Sequence, residues 1–454
     1  MSMLFKKENL NNIKITIIGL KKSGIAAAQL ASINGADVFV SDFTDNEITR
    51  NNCQILTDNN IRCEIGKHTN RIFESDLWII SPGVPKNIDI IEKAKSQGIK
   101  IIGEIEFASN FTSLPIIAVT GSNGKSTTVN IICDMLKNSN YKPILAGNIG
   151  NPFSSAVNQL NQKLIKGNIF ILEVSSFQLE FIDQFHPYIS VYLNISEDHL
   201  DRHGNMGEYV RTKLKMVRNM TKEDFIIFNE DDKILNTSFE NSIVKTIPYS
   251  LKKENNFFTI KPSKAYDTND VPFIEISKIL LKGEHNRSNL IASAKVAKIL
   301  NINEAAVKNS MEHFGGIKHR LEFVRELNDV TYINDSKATN MFSVIAALNS
   351  FESPIILLLG GKNKDSDFRQ LLPHAKRHVK HIVSFGEAGG EIATAVGDAV
   401  RLNKTSSLSQ AVASAHKVAR PGDVILMSPG CASFDQFNNF EERGTKFIEL
   451  VKKL

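Results

Sequence analysis

Gly121, Ser122, Asn123, Gly124, Lys125, Ser126 and Thr127 follow a short apolar run at residues 116–119 and precede a helical pattern. Backbone N–H groups of a glycine-rich turn can wrap phosphate oxygens, and a helix start favours negative charge. Lys125 would neutralise the outer phosphates and Ser126 would ligate magnesium. The strict pattern G-x-x-x-x-G-K-[ST] asks for glycine at position 119, which is Val119. The strand, glycine, lysine-serine and helix order survives without it. A phosphate loop works with an acid at the end of a neighbouring strand. Glu173, behind four apolar residues at 169–172, is such an acid, although a lone strand-end acid is as often just solvated. The segment LNISEDHLDRHG crowds Glu197, Asp198, His199, Asp201, Arg202 and His203 behind another apolar strand. That crowd suits cation and phosphate chemistry, or a polar loop capping a helix. Val210, Lys213, Leu214 and Val217 recur at helical spacing, which puts Lys213 inside an apolar stripe. A lysine there ordinarily snorkels to water; a functional lysine is the rarer alternative.

Further loops carry weaker signals. GLKKSG, residues 19–24, resembles a dinucleotide turn, but Lys21 replaces the middle glycine that lets a pyrophosphate approach the backbone. A nicotinamide-dependent oxidoreductase is disfavoured on that ground. The turn is either an ordinary one beside a solvated lysine pair or a helix start that attracts a diphosphate. Late in the chain, Asp335, Ser336 and Lys337 close a strand, Thr339 and Asn340 open a helix, and Lys362 and Lys364 follow another strand. SPGCASFDQFNNFEERG follows the last strong strand. Together these loops suit an anionic substrate at one sheet edge; singly, each is also a helix cap.

Elements must hold these loops in place, and the chain supplies them in three blocks. Residues 1–112, 113–315 and 316–454 each alternate short apolar strands with helical patterns, predicting α/β domains with parallel sheets. The polar stretch 251–270 predicts a hairpin insertion or loop. The 454 residues suffice for several cores. Lys and Arg number 54 against 49 Asp and Glu, too even a balance to point to nucleic acid. The four cysteines contain no C-x-x-C pair, so neither a disulfide framework nor a zinc site is expected. No apolar run is long enough to span a bilayer and no signal-peptide pattern opens the chain, so a cytoplasmic protein without membrane insertion is expected.

TGSNGKST, GNIG, LEVSSFQLE, LNISEDHLDRHG, HR, INDSKATN and SFDQFNNFEERG occur in the order found in the Mur ligases, and the chain is similar to that family along essentially its whole length. The resemblance implies a Rossmann-like N-terminal domain, a central P-loop ATPase-type parallel-sheet domain and a Rossmann-like C-terminal domain. It implies ATP-dependent amide ligation in peptidoglycan precursor synthesis, through an acyl phosphate. INDSKATN and SFDQFNNFEERG point to the branch that adds D-glutamate to UDP-N-acetylmuramoyl-L-alanine and away from folylpolyglutamate synthesis. The D-N-P-R motif of the diaminopimelate-adding relative does not occur. By the same resemblance, residues 121–127 with Asn286, Asn289, Arg320 and Asp335 would bind ATP. Ser126, Glu173 and His199 would hold magnesium, and Lys213 would be carbamylated. Gly19, Ser23, Asp42, Asn148 and His199 would meet the UDP-substrate. Lys337, Thr339, Lys364, Ser433 and Phe440 would frame D-glutamate. A monomer acting on small molecules is implied. Lys21 and Phe43 depart from the family's pattern.

Overall fold

A computed structural model of the chain describes residues 10–137, 139–252, 259–260, 264–266, 272–275, 278–281, 284–351, 353–363 and 366–454. The first sheet joins β1 (Lys14–Ile18), β2 (Asp37–Asp42), β3 (Arg62–Ile65), β4 (Leu77–Ile80) and β5 (Lys100–Gly103) in the order β3-β2-β1-β4-β5, all parallel. The second joins β6 (Ile116–Thr120), β7 (Pro143–Gly147), β8 (Ile169–Glu173), β9 (Ile189–Tyr192), β10 (Phe225–Asn229) and β11 (Lys245–Tyr249) in the order β11-β10-β9-β6-β8-β7, again all parallel. Continuous burial of β4, β6, β8 and β9 explains why these strands are apolar runs rather than alternating ones: helices cover both faces. β12 (Thr259–Ile260), β13 (Lys264–Tyr266) and β14 (Pro272–Glu275) form a small antiparallel sheet inside and just after the polar stretch 251–270, much of which lies outside the described residues.

The first two sheets share one compact unit with the helix Glu284–Ile299, from His285 onward, and with the chain beyond that helix as far as Glu312. Glu106 joins the two sheets: its carboxylate accepts backbone N–H groups from Asp183, Gln184 and Phe185 at 2.9, 2.8 and 2.8 Å. Glu104 accepts from Ser154 N at 2.6 Å, and burial pushes its carboxyl pKa up. Lys100 pairs with Asp183 at 2.9 Å.

The second compact unit holds β15 (Glu322–Leu327), β16 (Val330–Asn334), β17 (Ile355–Gly360), β18 (Val379–Phe385), β19 (Leu402–Lys404) and β20 (Val424–Gly430), ordered β15-β16-β20-β17-β18-β19. Here the expectation of parallel strands needs a correction. β15 runs antiparallel to β16 because only two residues separate them, too few for a crossover. The cysteine expectation is also corrected: Cys53 and Cys63 are disulfide-bonded, with Cα atoms 5.7 Å apart. Cys53 lies on the helix Glu47–Asp58 and Cys63 on β3, and the turn through Asn60 in a left-handed conformation folds one onto the other. Cys133 and Cys431 are buried thiols. Among the described residues, no helix is long and apolar enough to cross a membrane.

Candidate active site

β6 is central in its sheet, so the loop at its carboxyl end emerges where strand connections diverge, the usual place for a ligand in such sheets. Gly121 and Gly124 take φ values of 156° and 86°. A Cβ at Gly124 would come within 2.4 Å of Asn289 Oδ1, so both its backbone and its surroundings require glycine. The loop is pinned to the one after β9. Ser122 N donates to Asn194 O at 3.0 Å, Asn123 N to Asn194 Oδ1 at 2.8 Å, and Ser122 Oγ to Ser196 O at 2.9 Å. The Tyr209 hydroxyl lies 3.0 Å from Ser122 Oγ. Lys125 folds back over the loop and donates to the carbonyls of Gly121 and Ser122, both at 2.8 Å. Ser126 and Thr127 occupy the first turn of the helix Lys125–Lys137. Asn289 is buried, and its Nδ2 is 3.4 Å from Asn286 Oδ1.

Glu173 ends β8 and pairs in register with Val119, which brings it beside this loop. Its Oε1 accepts from Asn148 Nδ2 at 2.7 Å. Its Oε2 is buried without a hydrogen-bond partner among the described residues. Such an oxygen costs free energy unless a cation or donor meets it. Among the described residues no three His, Cys, Asp or Glu side chains gather into a metal cage. Magnesium usually takes one or two carboxylates and otherwise water and phosphate, so Glu173 with Ser126 fits that ion better than a closed site would.

Lys213 does not snorkel. It is 1% exposed, and its Nζ donates to Gly121 O at 3.0 Å and lies 4.8 Å above the Tyr209 ring. Burial first, and the Lys125 cation second, lower its pKa from 10.5 to about 7. His199 has a left-handed backbone, φ 52°, and its ring packs 4.7 Å from that of Phe177.

In the first sheet, Gly19 (φ 99°) follows β1, and a Cβ at Gly24 would meet Gly19 O at 1.9 Å. Gly24 therefore allows the helix Lys22–Ile33 to sit on the turn, while Lys21 is tolerated because it is extended and exposed. Asp42 holds the turn from the side, accepting Leu20 N at 2.7 Å and Thr44 N at 2.8 Å. Ser23 is half-buried in the first turn of that helix.

In the second unit, Asp335 follows β16 and is buried; its oxygens accept Leu321 N at 3.2 Å and Ser428 Oγ at 2.7 Å. Burial raises its pKa from 3.8 to about 7, against those hydrogen bonds and the nearby Arg320 cation. Arg320 is exposed, and Lys337 and Thr339 are half-buried on the same loop as Asp335. Arg443 is fully buried and ties that loop to the one after β20: it donates to Ser336 Oγ and Ser336 O at 3.0 and 2.9 Å and to Cys431 O at 3.1 Å. Ser433 is buried, and the carbonyl of Phe440 accepts Ser336 Oγ at 2.8 Å. Lys362 backbone groups exchange hydrogen bonds with Ala432 at 2.9 and 3.0 Å. Lys364 lies outside the described residues.

Residues 13–103 match the MurD-like N-terminal domain of Mur ligases, 119–297 the Mur ligase middle domain, and 319–431 the glutamate ligase domain of Mur ligases. A UDP-N-acetylmuramoylalanine–D-glutamate ligase from Christiangramia forsetii is 39% identical over 449 residues, covering 97% of this chain and 99% of the relative. The chain belongs to the Mur ligase family. Another protein of the same name, from Geotalea uraniireducens, is 37% identical over 450 residues, covering 98% of each. The fold of this Mur ligase is similar to that of the UDP-N-acetylmuramate-alanine ligase MurC of Thermotoga maritima, with TM-score 0.55 at 18% identity, covering 97% of this chain and all of that one.

Sequence reasoning missed several residues of this Mur ligase that hold the site together. Asn194 and Arg443 lie inside LNISEDHLDRHG and SFDQFNNFEERG, and Tyr209 lies just beyond the first, but the bracing role of each carries no local signal, because their partners stand 71, up to 107 and 87 positions away.

Proposed function

We propose that this chain is an ATP-dependent ligase joining D-glutamate to UDP-N-acetylmuramoyl-L-alanine in peptidoglycan precursor synthesis, giving ADP and phosphate. The observation that carries this reading is near-full-length identity of 35–39% to relatives named for that reaction. The geometry is compatible with it: a phosphate loop, a strand-end acid and a buried lysine converge at the end of β6.

A carboxylate is a poor electrophile. Transfer of the ATP γ-phosphoryl group to the alanine carboxylate gives an acyl phosphate. The D-glutamate amine then attacks the carbonyl carbon, the C–O bond to phosphate breaks, and the amine proton is lost. Most of the catalysis is positioning and charge neutralisation. Residues 121–127 cradle the phosphates, Lys125 exchanging its two loop carbonyls for phosphate oxygens. Asn286, Asn289, Arg320 and Asp335 contact the nucleotide. Glu173, Ser126 and His199 would hold magnesium, which would supply positive charge near the phosphates. Lys213, with a pKa lowered to about 7, holds a substantial neutral fraction near pH 7 that can accept carbon dioxide, and a carbamate there becomes an anion beside a cationic site. Gly19, Ser23 and Asp42 position the UDP moiety, with Asn148 and His199 on the muramoyl side. Lys337, Thr339, Lys364, Ser433 and Phe440 frame D-glutamate; Lys337 offers charge and Ser433 a hydroxyl to its carboxylates. We assign residues 1–112, 113–315 and 316–454 to three domains of a cytoplasmic monomer.

The deciding assay measures phosphate release from ATP with magnesium and UDP-N-acetylmuramoyl-L-alanine, adding D-glutamate, L-glutamate or a diaminopimelate in turn. Release that depends on D-glutamate is expected. Equal release with all three, or none, would overturn the reading.

A further inference from the structure

Arg202 has no part in that chemistry, yet its contacts cross from one sheet to the next. Its side chain is 13% exposed and that of its partner Glu180 is 2% exposed. Nε donates to Glu180 Oε1 at 3.1 Å and Nη2 to Oε2 at 2.5 Å. The same Nη2 reaches the carbonyls of Val84 at 2.5 Å and Pro82 at 3.4 Å, in the loop after β4. A staple within one sheet would stop at the carboxylate; this guanidinium goes on to main-chain oxygens of the neighbouring one.

At the far end, that loop is packed against the first glycine turn. Ser81 Oγ donates to Gly19 O at 3.1 Å. A Cβ on Gly19 would lie 2.8 Å from Ser81 Cβ and 3.1 Å from Val84 Cγ2. β1 and β4 are adjacent strands at the point where the strand order reverses, so this is the ligand crevice of the first sheet. Pro82 O and the N–H of Gly83 share one rigid peptide plane. An anion that engaged the N–H would tilt the plane whose oxygen lies 3.4 Å from Arg202 Nη2.

At the near end, the guanidinium lies 5.0 Å over the Phe177 ring, and that ring packs 4.7 Å from His199 and 5.7 Å from His203. His203 Nε2 is 3.0 Å from Ser176 Oγ, which fixes the other side of the Phe177 segment. Phe177 is thus packed against both the Arg202 guanidinium and the His199 ring, whose Nε2 also lies 3.5 Å from Asp198 Oδ2.

We infer that Arg202 is a positioning residue that couples a nucleoside diphosphate in the β1/β4 crevice to the setting of His199. This rests on the reading of that crevice as the UDP site. Arg202 is suited to the task because a planar fork can hold a carboxylate and carbonyls together, whereas a lysine offers one point of charge.

Hydrogen exchange read by mass spectrometry tests it on the full-length protein, with and without UDP, which lacks the muramoyl end that would touch His199 directly, and with no ATP or metal. In the wild type, UDP should slow exchange about tenfold both in residues 79–86 and in residues 197–204. In Arg202→Ala, and in Arg202→Lys as the milder variant, slowing at 79–86 should persist while the increment at 197–204 falls below about twofold. An Arg202 that only braces the fold would change the exchange of 197–204 equally with and without UDP and leave the increment intact. An increment retained in both variants overturns the coupling while leaving the UDP site standing. Absence of slowing at 79–86 in the wild type overturns the UDP site and the coupling with it.

Discussion

Lys213 and Asp335 are both buried ionisable groups, and burial moves them in opposite chemical directions. For Lys213 the neutral amine is favoured, and only that form adds carbon dioxide. At fixed dissolved carbon dioxide, reactivation of carbon-dioxide-stripped enzyme should rise roughly tenfold between pH 6 and pH 8, following a pKa of about 7. A rate independent of pH would remove the carbamate from the account. Lys213→Ala should lose on the order of a hundredfold or more in phosphate release. Acetate or formate should restore part of it; wild-type activity without them would exclude Lys213 from the mechanism. Asp335 has a folded pKa raised from 3.8 to about 7, so the folded state holds its proton more tightly than the unfolded chain. Its favourable contribution is full below the unfolded value and is lost as pH rises through about 7. In the absence of ligand, Asp335→Asn should therefore gain stability relative to wild type by a few kcal/mol on going from pH 5 to pH 8, at about 1.4 kcal/mol for each tenfold difference in proton affinity. Urea midpoints at the two pH values decide it; a difference that does not change with pH contradicts the assignment.

At the scale of elements, the strand ends were legible and the joints were not. The apolar runs of β6, β8 and β9 mark buried strands by composition, and the glycines and Lys125 mark the turn that follows β6. Helical spacing puts Lys213 on its stripe, but the sequence could not tell a snorkelling lysine from one capped by Gly121 O, because that contact spans 92 residues. Nor could it foresee β15 as antiparallel or the Cys53–Cys63 bridge, since both follow from how tightly short turns fold back. Glu106 is the clearest hidden joint: nothing about its local pattern distinguishes it from a solvated helix carboxylate. Three backbone N–H groups converge on it, so Glu106→Ala should cost about 2–5 kcal/mol in chemical denaturation, because it strands one buried and two part-buried donors. A loss under about 0.5 kcal/mol would mean water replaces the carboxylate at no cost.

For the molecule as a whole, the phosphate loop belongs to one compact unit and the Asp335–Lys337 loop to the other. A reaction that uses both asks the chain to respond to its ligands as more than a rigid body. Small-angle scattering should show a smaller radius of gyration with a nucleotide analogue and UDP-N-acetylmuramoyl-L-alanine together than with neither. Superimposable curves would argue that the two units need no rearrangement.

The lysine of the phosphate loop is not an open charge waiting for a ligand. Lys125 is already solvated, by the protein itself, through two carbonyl oxygens of its own loop. Anything that binds there must outcompete those oxygens, so the encounter is an exchange of acceptors rather than an addition. A neutral acceptor offers no more than the carbonyls do and gains little. An anionic oxygen forms hydrogen bonds roughly twice as strong as neutral ones and wins the exchange. The resting loop is in this sense self-quenched, and its selectivity for charge over mere polarity is set before any ligand arrives.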